Sequence, residues 1–382
     1  MSILVIGGTS FIGRATVEAL LRDGHAITLC NRGETPNPFG DRVQRITCDR
    51  RKRPATLMHA LRKGWDVVID FVAFDPEDVD PILTVGASCI SHLYVFISSD
   101  SAYMAVSPSK FVRHDGGLIE ASDADGENDP ERASQDEYGA DKLATEMALR
   151  RWVSQHAACP RVVALRLPDV IGPHENTGRL HKLLHKLLRG RRVGTSINDQ
   201  PGLGEFLPLS VVAAGDVATA ICALVSQGAQ TTRHEAQALP EHTPAALPPF
   251  SALHVCTDER PTWVELVNLA AAMLREAGCD VGTPQFARER DTGFVSVDVG
   301  ALDNTAAKAA LCGWAPAPLV ERMREAVSWW VQTVGAHAQP RPSEDAHFRF
   351  NFELAADRTL PPTTSEAASE ETKRPRTNTE TE

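Results

Sequence analysis

What most constrains this chain is a strict alternation along its first half. From Ser2 to about Arg166, short apolar runs (ILVIG, HAITLC, VQRITCD, WDVVIDFVAF, HLYVFISSD) alternate with stretches of helical period such as TVEALLRDG and TLMHALRKG. That pattern predicts parallel strands joined by crossover helices. VVIDFV and YVFIS are near-continuous apolar runs, as expected of strands covered on both faces. The expected fold is therefore α/β, a doubly wound parallel sheet. At 382 residues the chain has room for one large domain or two interlocked ones.

Further along, YGADKLATEMALRRWVSQH reads as a helix, PRVVALRLPDVIGP as a strand and its following loop, and HKLLHKLLRG as a short amphipathic helix. GDVATAICALVSQ (helix), ALHVCTD (strand), WVELVNLAAAMLREAG and LVERMREAVSWWVQTV (helices) complete the pattern. The acidic stretch SPSKFVRHDGGLIEASDADGENDPERASQDE reads as a surface loop, and HEAQALPEHTPAALPPF as a Pro- and Ala-rich insert. From Glu353 onward there is no aromatic residue, and the Thr, Glu, Pro and Ser composition cannot bury enough surface to offset ordering entropy. The tail, residues 336–382, is expected to be disordered from about 353, with its KRPR read as solvated charge rather than a nuclear address.

Composition narrows the function classes. The formal charge of −11 argues against a polyanionic partner, so nucleic acid is not expected. No apolar run approaches a bilayer span, and ILVI directly after Met1 and Ser2 leaves no room for a secretion signal. Eight cysteines are scattered singly with no C-x-x-C, so reduced thiols, a cytoplasmic setting and no metal site are expected.

Three clusters carry chemistry. GGTSFIG lies between a strand and a helix, where backbone N–H groups and the helix dipole can receive a pyrophosphate. Gly7 serves the tight turn and Gly13 the close helix contact, with Thr9, Ser10, Phe11 and Ile12 between them. Ser10 stands where a glycine would let backbone and phosphate meet, and it can fit there if its φ is negative. At the end of the second strand, LCNRG places Asn31 and Arg32 where an acid would bind the ribose 2′-hydroxyl of NAD. The exchange favours NADP, with NAD still open.

Tyr138 and Lys142, in YGADK, lie four residues apart on one face of a helix, so the ammonium should lower the phenol pKa toward the range of a base. Ser99 and Asp100 follow a central strand, where open α/β sheets bind ligands. Ser99 could hold a substrate oxygen and Asp100 could donate a proton.

Together, GGTSFIG, Asp49 in TCDRR, SSDSAY, YGADK and LRLPDVIGP resemble, in order and spacing, the extended short-chain dehydrogenases/reductases, the NAD-dependent epimerase/dehydratase family. The resemblance covers about residues 1–335. It implies a Rossmann domain over 1–173, with 211–228 returning to it, and a smaller C-terminal α/β substrate-binding domain mainly over 174–335. It implies Ser99, Tyr138 and Lys142 as a catalytic triad, with Lys142 also on the nicotinamide ribose. Asp49 would lie near the adenine, Ala73 beside the dinucleotide and Pro168 on the nicotinamide side. It further implies a small-molecule substrate, a nucleotide sugar, and a homodimer.

His174, Asn176 and Arg179 in GPHENTGR follow that nicotinamide loop and are candidate substrate contacts. Dehydratases of the family often carry Thr-Asp-Glu where this chain has Ser99-Asp100-Ser101, so dehydration is half supported, while epimerisation and reduction need only the triad. GGTSFIGR, NRG and YGADK also resemble a subgroup that includes RNA-associated chloroplast stem-loop-binding proteins. A non-catalytic RNA-binding member and an NADPH-sensing regulator therefore stand as alternatives to an enzyme.

Overall fold

The computed structural model describes residues 1–106, 118–124, 136–156, 158–196, 205–234, 247–290, 299–311, 313–333, 341–342 and 350–351. Its centre is a seven-stranded sheet of order β10-β6-β5-β4-β1-β2-β3. The strands are β1 (Ser2–Ile6), β2 (Ala26–Asn31), β3 (Gln44–Thr47), β4 (Trp65–Asp70), β5 (Ile90–Ser99), β6 (Arg161–Leu167) and β10 (Phe250–His254). Every neighbouring pair is parallel. The chain winds outward from β1 to β3, then restarts on the other side of β1 with β4. The switch point of this doubly wound fold therefore lies directly beyond Ile6, where GGTSFIG begins.

Alternate residues of each strand enter opposite layers. Ile3 and Val5 pack with Leu29, Val67 and Val95 beneath α1 (Phe11–Arg22) and α6 (Ala214–His234). Leu4 and Ile6 pack with Val68, Tyr94 and Phe96 against α2 (Pro54–Leu61), α3 (Pro76–Cys89) and α4 (Glu137–Gln155). A third apolar cluster joins α5 (Arg179–Leu188), α7 (Trp263–Glu276) and α9 (Leu319–Thr333) to β9 (Val211–Ala213), which pairs in parallel with β7 (Asp169–Ile171). Beside it, β8 (Val193–Ser196) pairs with β11 (Phe286–Arg290). Helix starts follow local chemistry: the Asp75 and Asp136 side chains accept from the Asp78 and Gly139 N–H groups, and Thr262 and Glu265 form a capping box.

Several features differ from the sequence reading. Helix α3 is missing from it, because Pro76, Pro81 and Gly86 obscure the apolar period, although Pro81 is accommodated within the helix. The strand at 250–254, expected in the second domain, is the seventh strand of the main sheet, paired with β6 from Phe250↔Val162 to His254↔Arg166. Helix α8 (Thr305–Ala310) and Trp314 also pack into the main core through Ala307 and Leu311.

The acidic loop has an interior anchor. Ile119 is buried, donates its N–H to the Ala301 carbonyl at 2.9 Å and accepts from Asp303 N–H at 2.8 Å. Its apolar side chain, set in a polar stretch, gains more by packing beside Leu302 than by staying in water. Residues 107–117 and 125–135 of that loop, most of the Pro/Ala-rich insert and the tail beyond residue 351, with KRPR, lie outside the described residues. Residues 341–342 and 350–351 form a short antiparallel pair. Among the described residues no helix is long and apolar enough to cross a membrane.

Candidate functional site

A cavity of about 480 Å³ opens at the carboxyl ends of the central strands. Its floor is the turn between β1 and α1. Gly7 (φ 97°) and Gly8 (φ 89°) take left-handed conformations that cost a side-chain-bearing residue roughly 1 kcal/mol or more. A Cβ at Gly13 would lie 2.8 Å from the Gly8 Cα, so the helix meets the turn only because both are glycine. Ser10 caps α1 in an extended conformation (φ −134°, ψ 152°), so serine is unstrained there, and its hydroxyl makes no capping bond. The strain falls on Phe11 instead, at φ 44°.

The expected site residues converge on this cavity with two exceptions. Gly7, Thr9, Ser10, Phe11, Ile12, Gly13, Asn31, Arg32, Asp49, Ser99, Asp100, Tyr138, Lys142, Pro168, Asn176 and Arg179 all line it. Ala73 does not, but its carbonyl accepts from Lys142 Nζ at 2.6 Å. His174 is turned away, its ring 4.8 Å from that of Trp329 and its Nδ1 3.4 Å from an Arg14 nitrogen. The left-handed backbone at His174 (φ 61°) sets that direction.

Lys142 is fixed from behind by a second carbonyl, Ile97 O at 2.8 Å, and lies 4.9 Å from the Phe96 ring centre and 5.7 Å from that of Tyr138. Burial among these rings lowers its pKa to about 8, the Asp70 and Asp78 charges opposing the drop. Tyr138 departs from expectation: its pKa is pushed up to about 12, not down. Enclosure by the cavity walls disfavours the phenolate more than the Arg179 charge and a hydrogen bond with Ser99 favour it, while Lys142 spends two of its donors on carbonyls. The Ser99 hydroxyl is 3.2 Å from Asp100 Oδ1 and 3.2 Å from Ser101 Oγ.

Other residues of the site were not anticipated. Arg50, only 9% exposed, lines the cavity and makes a bidentate pair with Asp70 at 2.9 and 2.8 Å. Arg51 reaches Asp78 and Asp75. Arg179 is held by Asp169, the residue directly after Pro168. The signal for the first was legible: Asp70 ends an apolar strand, and a buried carboxylate needs a cation.

Behind the site runs a buried polar network. Arg166 on β6 binds Glu146 of α4 through Nε (3.0 Å to Oε1) and Nη2 (2.6 Å to Oε2). Its Nη1 donates to Tyr103 Oη at 2.9 Å and to Ala121 O at 2.6 Å. Ser98 Oγ donates to Glu146 Oε1 at 2.5 Å, and Tyr103 Oη is 2.5 Å from His254 Nε2. One charged pair thus ties together the elements that carry Ser99, Asp100, Lys142 and Pro168.

A dinucleotide suits this donor set. The glycine turn and the open end of α1 offer N–H groups to phosphates, and the buried Asn31 Nδ2 has no acceptor among the described residues.

Comparison with known proteins agrees with the architecture. Residues 3–235 match the model of the NAD dependent epimerase/dehydratase family. The chain is 19% identical to the UDP-glucose 4-epimerase of Thermotoga maritima, solved with UDP-glucose, over 87% of this chain and 99% of that one, at a TM-score of 0.60. It is 22% identical to the Thermus thermophilus UDP-glucose 4-epimerase in complex with NAD, over 86% and 99%, at 0.59. At these identities the likeness establishes the fold.

Among curated proteins it is 29% identical over 115 residues to the chloroplast stem-loop binding protein of 41 kDa b of Arabidopsis thaliana, a match spanning 27% of this chain and 30% of that protein's length. With the family model covering well over half of its length, this chain belongs to the NAD dependent epimerase/dehydratase family.

Proposed function

We propose that this chain is a dinucleotide-dependent enzyme acting at a hydroxyl-bearing or carbonyl carbon of a nucleotide-linked sugar, with NADP favoured over NAD. The observation that carries this reading is the convergence of the glycine turn, Ser99, Tyr138 and Lys142 on one cavity. The nucleotide-sugar class draws on the UDP-sugar epimerases that share the fold.

Gly7 to Gly13 would hold the pyrophosphate, Asp49 would lie at the adenine and Pro168 at the nicotinamide. Hydride transfer at the substrate carbon is the chemistry that a dinucleotide held by these residues would supply. Tyr138, kept as a neutral phenol by burial, would give its proton to the substrate oxygen or take one back. Ser99 would orient that oxygen, and Lys142, anchored by two carbonyls and still cationic at neutral pH, would stabilise the phenolate as it forms. Asp100, buried beside Ser99, would act as a proton donor. Asn176 and Arg179 would meet the substrate at the far end of the cavity.

The NADP preference draws on Asn31 and Arg32 standing where an acid would serve a ribose hydroxyl. The Arg32–Glu34 pair at 3.0 Å is exposed enough to yield its cation to a phosphate.

Turnover of a panel of UDP-sugars with NADP(H) or NAD(H) tests the reading. Tyr138→Phe is expected to abolish turnover while leaving the dinucleotide Kd unchanged. Full turnover by that variant, or no dinucleotide binding by the wild type, refutes it. RNA binding at physiological salt that ignores Tyr138→Phe would instead support the reading suggested by the chloroplast relative.

A further inference from the structure

The Asn31 amide is held in one orientation by a residue outside the cavity. Asn31 ends β2, and its Oδ1 accepts from Arg45 Nε at 3.1 Å, from Arg45 Nη2 at 3.0 Å and from the Gly33 N–H at 3.2 Å. Arg45 is an exposed residue of the edge strand β3, and its Nη2 also donates to Thr35 O at 3.2 Å, so its guanidinium spans the turn after β2. Three donors saturate Oδ1 and fix the amide, since the opposite assignment would turn an NH₂ group against a guanidinium. Nδ2, in a residue that lines the cavity, is left buried without an acceptor among the described residues.

In this fold the end of the second strand meets the adenosine ribose. A free 2′-hydroxyl is served there by an acceptor, but Arg45 has already taken the acceptor of Asn31. A 2′-phosphate carries acceptor oxygens and matches the remaining donor. We propose that Arg45 is the positioning residue that sets dinucleotide preference: by occupying Asn31 Oδ1 it leaves Nδ2 to the ligand and favours a dinucleotide phosphorylated at the 2′ position. The proposal rests on the dinucleotide reading of the cavity. The local charge agrees with it, since residues 42–63 hold eight Arg and Lys against the single acid Asp49, in a chain of net charge −11.

The test is the Kd of NADPH and of NADH, by tryptophan fluorescence quenching, for the wild type, Arg45→Ala, Asn31→Ala and the double variant, with thermal melts to check folding. The wild type is expected to favour NADPH. Arg45→Ala should cut that preference roughly tenfold, because a freed amide can turn Oδ1 toward a 2′-hydroxyl. In the Asn31→Ala background the same change should move the ratio by less than about twofold, because Arg45 acts through Asn31.

An unchanged ratio in Arg45→Ala, or equal shifts in both backgrounds, overturns the proposal while leaving the dinucleotide site standing. So does a wild type that binds NADH more tightly. A wild type that binds neither dinucleotide overturns the site reading itself, and the proposal with it.

Discussion

Replacing Arg166 with Met tests whether the buried network holds the site together. Arg166 is fully buried and makes four hydrogen bonds, two of them bidentate to Glu146, which is itself 2% exposed. Burial alone would lower the guanidinium pKa, yet the adjacent Glu146 carboxylate outweighs it and holds the pKa above its ordinary value. Removing the cation leaves a buried carboxylate with Ser98 Oγ as its remaining side-chain donor among the described residues and strips a partner from Tyr103 Oη and Ala121 O. Breaking a buried pair from one side costs about 3–5 kcal/mol. Taking out both charges with Arg166→Met/Glu146→Met avoids the stranded ion and should cost less than either single change, which makes the coupling at least as large as one single cost, about 3–5 kcal/mol. Equilibrium guanidinium unfolding of the four proteins reads this directly. A single variant within about 1 kcal/mol of wild type, or a double variant costing the sum of the singles, would show that the network does not bind these elements to one another.

Three further outcomes follow from the cavity. Lys142 titrates near 8 when folded and at 10.5 when unfolded, so between those values the unfolded chain holds a proton that the folded chain has lost. Wild type should therefore gain roughly 3 kcal/mol relative to Lys142→Met as pH rises from 8 to 10.5, read from urea melts of both proteins. Ser10→Gly should change stability by only a few tenths of a kcal/mol, since the cap makes no side-chain bond. If the hydroxyl meets a phosphate, the same variant should weaken both dinucleotides about fivefold, checked by Kd, because a hydrogen bond to a charged group contributes about 1 kcal/mol or more.

The sheet was legible because parallel strands buried on both faces leave apolar runs too continuous to mistake. Residues at their carboxyl ends then fell together by topology alone, and this is why Gly7, Asn31, Asp49, Ser99 and Pro168 share a cavity although 161 positions separate the first from the last. What stayed hidden depends on partners distant in sequence. Arg166 reads as an oddity in VVALRL until Glu146, on the inner face of α4, is seen to meet it. Lys142 and Tyr138 do share a helix face, but nothing in their spacing shows that Ala73 and Ile97 carbonyls take up the ammonium. His174 sits in a polar loop that reads as a substrate contact, yet its backbone is left-handed and its ring meets that of Trp329, 155 residues later.

The central claim, that the cavity above the β1–α1 turn is a dinucleotide site, is tested most directly by calorimetric titration of NADPH into the wild type and into Gly13→Ala. A Cβ at that position would lie 2.8 Å from the Gly8 Cα and 3.0 Å from its nitrogen, forcing helix and turn apart. The account predicts saturable binding at one site per chain, lost in a Gly13→Ala variant that still melts cooperatively. Absence of binding to the wild type, or equal affinity in the two proteins, would contradict it.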